Sequence, residues 1–589
     1  MPYPLKILDE KASLQKTTIT KFTGGLNSLD REDQLDPSEA LRCENLVLKK
    51  GRLYQDTGYA AFADAVEGTP QVDYQFFKKD GTGQLMLVTT ASVYRYASGV
   101  GQWQYVKGDG GSDLTSAAVA TDTSLEVTSS ADFSPTDPVG IELDDGTQHR
   151  TTVATVPDGT HITLDDAMPG AAGIGKVVVL AVQLSGDLDH AVIPDTVASH
   201  DWFVFTNGVD VVKRYDGIDC VDVPNLPSSG NTVCKALRVY NSALFLLNTT
   251  EGGTAYPQRV RRSDIGDPEN WTTGTAGYDD LFDSSDYIIT GEVLGPYLIV
   301  YRERSIDRGE FVGQGGINYN YEPMVQGEGC ISSQGIVNMG DYHVMLGNAN
   351  IYEYRAGFDL NPIGDKIYSL IFQSDADINR EYRPRAFAFF VEEVNEIWFF
   401  LPSSSSETCD TLLRYNISEE NFAYRKFADS FVGYGFYERQ TSLDWSDLVG
   451  YWSAQTWQWG SAAVKTAAPT THLCADSGGL VQEYQYTATD DDGDAIAFVF
   501  ETKDFILDEA LLRLDTVEGY LRGSGVLIEY SSDEGDTWNT IGTVTNAGNS
   551  HFLLGKQDIM QRIRFRFSGS DPQFMMTFFQ FYWKLETPR

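Results

Sequence analysis

The chain has 589 residues, 84 acidic side chains against 44 basic ones, and a formal charge of -40. That length supplies two or three hydrophobic cores. A surface so dominated by one sign repels a phosphate backbone, because tight nucleic-acid binding depends on Lys and Arg displacing counterions. Two readings of the acidity follow: a solvated surface suited to a saline habitat, or a negative wall past which DNA slides without sticking. Aromatic residues make up 12% of the chain, with 31 Tyr, 31 Phe and 10 Trp beside 55 Gly. This is the composition of many short strands joined by tight turns.

The first residues, Met1-Pro2-Tyr3-Pro4, open no apolar run of signal-peptide length, and no later run approaches the roughly 18 apolar residues of a membrane span. The expectation is a chain made in a reducing cytoplasm without a membrane anchor. Next comes a recurring phrase: an apolar strand, a Gly/Asn/Asp/Ser turn, and a second strand ending in an aromatic, which signals a hairpin. It occurs at Leu85 to Tyr96, Trp202 to Tyr215, His343 to Tyr354, Ile397 to Tyr415 and Leu473 to Tyr484, with weaker copies beginning at Ala243 and Tyr297. A spacing of roughly 40 to 70 residues, once one insertion is set aside, matches a four-stranded propeller blade.

Between about residues 105 and 184 the composition turns small and polar, as expected of a compact β module inserted into a blade. From about Asp494 the strands lengthen and alternate, as in Arg562-Ile563-Arg564-Phe565-Arg566-Phe567, where arginines share one face and apolar residues the other. The predicted fold class is all-β: a β-propeller with an inserted small β module and a C-terminal β-sandwich. Its boundaries are 1–104 (N-terminal segment and first blade), 105–184 (insertion), 185–493 (remaining blades) and 494–589 (sandwich). A pair of stacked sandwiches is the structural alternative.

Signals of chemistry are sparse. Cys43, Cys220, Cys234, Cys330, Cys409 and Cys474 lie far apart and form no CxxC pair, so they read as free or buried thiols. The histidines (His149, His161, His190, His200, His343, His472 and His551) never fall at metal-ligand spacing. Gly313-Gln314-Gly315-Gly316 resembles a phosphate-loop fragment, yet no Lys-Ser or Lys-Thr follows, and it reads as a turn. Asp490-Asp491-Asp492-Gly493-Asp494 lacks the ordered spacing of a calcium loop and reads as a solvated linker. Carboxylate pairs such as Asp283 with Asp286 and Glu392 with Glu393 are expected from composition alone. No catalytic, cofactor-binding or metal-binding residue is assigned, and the chain is expected not to be an enzyme.

The strongest competing motif is Ser531-Ser532-Asp533-Glu534-Gly535-Asp536-Thr537-Trp538, which fits the SxDxGxTW pattern of an Asp-box, repeated in sialidase-type propellers and other glycan-binding proteins. Physically it is a hairpin turn in which Asp533 accepts backbone amides, Gly535 takes the left-handed position and Trp538 packs beneath. A sialidase also needs an arginine cluster for the substrate carboxylate and a Tyr nucleophile. A glycan- or receptor-binding or sialidase-like propeller is therefore the alternative function.

Three further phrases occur in order. They are Phe22-Thr23-Gly24-Gly25-Leu26-Asn27 with Leu35-Asp36-Pro37-Ser38-Glu39-Ala40, Asn45, Gly51-Arg52-Leu53 and Gly58-Tyr59; Arg259-Val260-Arg261-Arg262-Ser263-Asp264-Ile265-Gly266-Asp267-Pro268-Glu269-Asn270-Trp271; and Gly327-Glu328-Gly329-Cys330-Ile331 ahead of Gly340-Asp341. Read locally, Asp36 to Glu39 begins a short helix. Together the phrases resemble the tail nozzle, or packaged-DNA stabilisation, proteins of short-tailed bacteriophages. The resemblance implies a virion protein forming a hexameric ring beneath the portal and adaptor, in contact with tail fibres or the tail tip. Packaged DNA would pass through such a ring without specific binding. It brings no catalytic residues and no cofactor, and the insertion departs from the simplest members.

Overall fold

The computed structural model describes residues 14–186, 192–314, 317–373, 376–438, 470–475, 478–506 and 511–586. Among them helix is confined to Tyr368–Ile371 and two short 3-10 turns, Asp365–Ile367 and Arg383–Arg385. Nearly everything else regular is strand, and among the described residues five sheets are antiparallel and four-stranded.

Blade 1 holds Pro70–Phe77, Gly83–Thr89, Val93–Ala97 and Gln102–Tyr105. Blade 2 spans Ile193–Val197 to Cys220–Asp222, blade 3 Thr232–Tyr240 to Gly277–Asp280, blade 4 Ile288–Leu294 to Ile317–Gln326, and blade 5 Ile336–Asn338 to Leu360–Pro362. In blade 6, Phe387–Val391, Glu396–Leu401 and Cys409–Asn416 are followed by the first half of the 17-residue strand Asn421–Tyr437. The second half of that strand opens blade 7, where it pairs with Thr470–Ala475, then Val481–Tyr484, and at the outer edge Tyr59–Ala61. A strand from early in the chain thus completes the last blade.

The middle strands of each blade lie between two neighbouring sheets. Buried on both faces, they read as continuous apolar runs instead of alternating ones. Trp202–Thr206 and Glu396–Leu401 are buried at every position. Each pair of neighbouring blades shares an apolar cluster: Phe76 and Met86 against Phe203 and Phe205, Trp202 and Val204 against Leu244 and Leu246, Phe245 and Leu247 against Leu298 and Val300. The series continues with Ile299 and Tyr301 against Met345 and Tyr354, Val344 and Leu346 against Ile397 and Phe399, and Phe387 and Trp398 against Leu473 and Tyr484. Leu85, Leu87 and Trp103 of blade 1 meet Cys474 and Val481 of blade 7 and close the ring. Among the described residues the propeller has seven blades.

Closure depends on glycine. On the inner strand of blade 7, Tyr434 and Phe436 face blade 6, where Tyr434 stacks on Phe389 at 4.4 Å. Gly433 and Gly435 face blade 1 so closely that a Cβ on Gly433 would lie 1.5 Å from the Gln71 carbonyl oxygen. One on Gly435 would lie 2.1 Å from that of Asp73. Only glycine permits such an approach of two backbones.

The insertion forms a six-stranded sheet between Lys107 and Ala181 with its own core, including Val139, Ile141, Ile162 and Val178. It leans on blade 1 where Gln104 Nε2 donates to the Gly146 carbonyl at 2.9 Å and Tyr105 N to Gln148 Oε1 at 2.6 Å.

The C-terminal strands build the second large core around Leu511–Ser531, which pairs with Asn539–Gly555, Arg562–Gly569 and Met575–Glu586. Early strands belong here too. Gln15–Ile19 pairs with Met575–Glu586, and Glu39–Glu44 with Phe498–Thr502. The segment expected to accompany the first blade therefore lies mostly in the sandwich, because Ile19, Phe22, Cys43, Leu46 and Leu53 complete its core.

Two local expectations are corrected. Asp36 to Glu39 is a turn, with Ser38 N donating to Asp36 Oδ1 at 2.8 Å and Glu39 entering a strand, since sheet pairing outweighs the local helix signal. The Asp490–Asp494 run is a tight hairpin and not a solvated linker. Its turn residues Asp492 and Gly493 have φ of 49° and 99°, and Asp491 is bound by Arg425.

Candidate functional site

The inner strands converge on a cavity of about 620 Å³ along the propeller axis, bordered by residues of all seven blades. Position on an inner strand is what brings Asp73, Arg238, Glu292, Phe389 and Tyr434 together across long stretches of sequence.

Arg238 of blade 3 is the one basic side chain lining the cavity among the described residues, and it is neutralised. Its Nε donates to Glu292 Oε2 at 2.9 Å, and Asn338 Nδ2 adds a bond to Oε1 at 3.3 Å. Burial would raise the Glu292 carboxyl, but Arg238 and His343 overcome it and hold the group below the usual carboxylate value. Asp195, beside the same arginine, goes the other way. Burial lifts it to about 6 despite Arg238 and the amide of Val239, which donates at 2.7 Å.

Asp73 of blade 1 accepts from His472 Nδ1 of blade 7 through Oδ2, and both side chains are fully buried. Its Oδ1 has no donor among the described residues. His343 is buried against Tyr301 Oη, 2.8 Å from Nδ1, and burial pushes its pKa down.

A deeply buried ionic cluster joins the N-terminal region to blades 6 and 7. Asp56 lies 2.5 Å from Arg414 and 3.4 Å from Arg425, Arg414 reaches Glu396 at 2.7 Å, and Arg425 also holds Asp491. Burial alone would raise Asp56, yet the two guanidinium groups hold it at about 2.

The residues singled out in the sequence are scattered. All six cysteines are buried thiols. No group of three or more His, Cys, Asp or Glu side chains is placed to hold a metal ion among the described residues. His190, Gly315 and Gly316 lie outside the described residues, and Gly313-Gln314 sits at the tip of a blade 4 hairpin. Asp286 serves the loop of blade 4, accepting from Ser305 Oγ at 2.9 Å. Glu392 and Glu393, by contrast, border the axial cavity.

The Asp-box turn has the geometry read from its sequence: Thr537 N donates to Asp533 Oδ1 at 2.9 Å, Gly535 has φ of 99°, and Arg566 lies 4.0 Å over the Trp538 ring. It lies in the sandwich, away from the cavity. The arginine phrase of blade 3 is consumed internally. Arg259 grips Asp280 with two bonds of 2.8 Å, Arg261 binds Glu251 at 2.6 and 2.9 Å, and Arg262 pairs with Asp279. The arginine cluster that a sialoside carboxylate needs is missing from the described lining, where Arg238 stands alone in its ion pair.

No family model and no curated protein matches the chain. Solved structures similar to it include Raptor of Chaetomium thermophilum (6% identity, TM-score 0.25, covering 73% of this chain and 29% of that one) and a glycoside hydrolase (11%, 0.22, covering 64% and 94%). Another is the exo-beta-1,3-galactanase of Phanerochaete chrysosporium (6%, 0.21, covering 84% and 100%). The chain thus spans less than a third of the Raptor structure. At these TM-scores the similarities carry no argument about activity. They do correct one expectation: with glycoside hydrolases among the similar structures, the exclusion of an enzyme is withdrawn.

Proposed function

We propose that the chain is a ring-forming structural subunit of a tailed-virus particle, of the tail-nozzle type, which retains packaged DNA and frames the path of genome exit. The observation that carries this reading is where the resembling phrases fall. A Cβ on Gly25 would meet the Phe422 carbonyl oxygen at 2.7 Å, and one on Gly329 would meet that of Arg302 at 2.1 Å. The Arg259–Arg262 phrase is spent on ion pairs within its blade. The glycine phrases fix close approaches between parts of the chain and the arginine phrase braces a single blade, as expected of a rigid building block.

The cavity itself sets a limit. Duplex DNA, whose major groove alone is about 12 Å wide and 8.5 Å deep, cannot pass through a space of about 620 Å³. The genome path therefore lies between copies, on the axis of a ring taken as hexameric and seated below portal and adaptor. Mass spectrometry of purified particles tests this. A fixed ratio near one copy to two portal subunits is expected, and absence of the chain from particles would sink the proposal.

A further inference from the structure

A sheet edge is a row of unpaired amides and carbonyls ready to take another strand, and proteins blunt such edges with charge, proline, short length or a covering segment. The outer strands of the blades follow this rule. Gly277–Asp280 ends in two aspartates, Ile317–Gln326 contains Glu322 and Pro323, and Leu360–Pro362 is short and ends in proline. Tyr59–Ala61 and Cys220–Asp222 are three residues long, and Gln102–Tyr105 is held against the insertion. On the far side of the sandwich, Gln15–Ile19 carries Lys16.

One edge has none of these guards. Asn539–Gly555 borders both halves of the sandwich, bent where its partner Leu511–Ser531 bulges between Leu521 and Val526, and among the described residues it pairs with no other strand. Its 17 residues include no Asp, Glu, Lys, Arg or Pro, although 22% of the chain is charged. Among the described residues no other outer strand is both long and uncharged. Along residues 551–555, alternate amides and carbonyls point away from the partner strand. Leu553, 61% exposed, and Tyr520, 40% exposed and opposite His551, stand on one face beside this stretch. Glu518, opposite Leu553 on the adjoining strand, is already bound by His551, Gln580 and Tyr582.

Two copies of a chain with a formal charge of -40 repel one another wherever carboxylate-bearing surfaces meet. The Asn539–Gly555 edge lets them touch without bringing charges together, and the long uncharged strand that matches it is its own counterpart. We infer that this edge joins two copies of the chain, residues 551–555 of each pairing antiparallel about a two-fold axis, with Leu553 facing its counterpart across the seam. Strand addition supplies main-chain hydrogen bonds, and the same patch serves on both copies. One short strand pair buries little area, so the association is weak. A two-fold contact pairs copies and closes no ring, so this inference stands independently of the nozzle reading.

Sedimentation velocity of the full chain across micromolar concentrations tests it. A monomer–dimer equilibrium is expected, and it should strengthen between about 0.1 and 0.5 M salt, which screens the repulsion and leaves an uncharged contact intact. L553K sets two lysines opposite each other at the seam and should raise the dissociation constant about tenfold or more. F282K, at a 76% exposed position between blades 3 and 4, should leave it unchanged. Amide exchange in residues 551–555 of the native chain should slow as concentration rises, which separates backbone pairing from side-chain contact alone. Sedimentation as monomer throughout, association that weakens with salt, or a folded L553K that pairs like the native chain overturns the inference. Should L553K fail to fold, equal exchange in residues 551–555 of dilute and concentrated native protein overturns it.

Discussion

Replacing Gly433 with alanine tests whether the seven blades form one closed ring. The added Cβ would sit 1.5 Å from the Gln71 carbonyl oxygen, whereas a comfortable carbon–oxygen contact is about 3.3 Å. Blades 1 and 7 must then part by roughly 2 Å, loosening the contacts of Leu85, Leu87 and Trp103 with Cys474 and Val481. Overpacking against backbone belongs at the upper end of the usual cost, about 3 kcal/mol. The reduced freedom of the unfolded chain returns about 0.4–1 kcal/mol. A net loss of about 2 kcal/mol, spread over an unfolding entropy of about 2.1 cal/mol/K per residue for a ring of roughly 300 residues, lowers Tm by about 3 °C. Calorimetry of G433A beside native protein measures this. The control is G99A, at a turn where an added Cβ meets nothing within 4 Å, and it should melt with the native chain. Coincident melting of G433A and native protein, or an equal drop in G99A, would refute the closed seam.

Three other outcomes follow from buried charge and topology. D56N leaves Arg414 and Arg425 facing an uncharged amide and should cost about 3–5 kcal/mol in urea denaturation at pH 7. Because the folded pKa of Asp56 is depressed to about 2, its contribution is present above the unfolded value of about 3.9 and is lost as pH falls through 2, so the gap between variant and native should narrow below pH 4. Asp195 has the opposite sign. With its folded pKa raised to about 6, its contribution is complete below about 3.9 and lost as pH rises through 6, so D195N should gain about 1–2 kcal/mol over native at pH 8 and little at pH 4; a pH-independent difference in Tm would contradict this. Since Lys107 lies opposite Ala181 on neighbouring strands, excising residues 108–180 behind a short glycine bridge should leave the propeller folded, as read by near-ultraviolet circular dichroism.

The seven hairpin phrases beginning at Leu85, Trp202, Ala243, Tyr297, His343, Ile397 and Leu473 fall in the middle strands of the seven blades. They were legible because burial on both faces leaves an unbroken apolar run in one stretch of chain. Edge strands carry no such mark. Tyr59–Ala61 is three residues long and is a strand only because Val481–Tyr484 offers it an edge, a pairing across more than four hundred residues. Asp36 to Glu39 misled for a related reason. Its helix-start pattern is local, while the Glu39 carboxylate is held by Asn27 and by the Asp36 amide, each at 3.0 Å, and its backbone pairs with Gly25. The cavity was illegible because Asp73, Arg238 and Glu292 come from three blades, and ring closure, not spacing, sets their proximity.

Structure also sharpens the electrostatic argument about DNA. A formal charge of -40 leaves room for a local basic patch, and Arg259, Arg261, Arg262, Arg562, Arg564 and Arg566 are the side chains that sequence offers for one. Each is already bound: Arg259 to Asp280, Arg261 to Glu251, Arg262 to Asp279, Arg562 to Glu534, Arg564 to Asp504 and Arg566 to Glu529. A phosphate would have to displace a carboxylate held within the same fold, and no released counterion compensates for that loss. A 30-base-pair duplex should therefore show no retardation with the chain at 150 mM salt, alone or assembled. Salt-sensitive binding at micromolar concentration would mean that a basic surface forms only on assembly, and DNA would then be gripped by the ring instead of sliding past its wall.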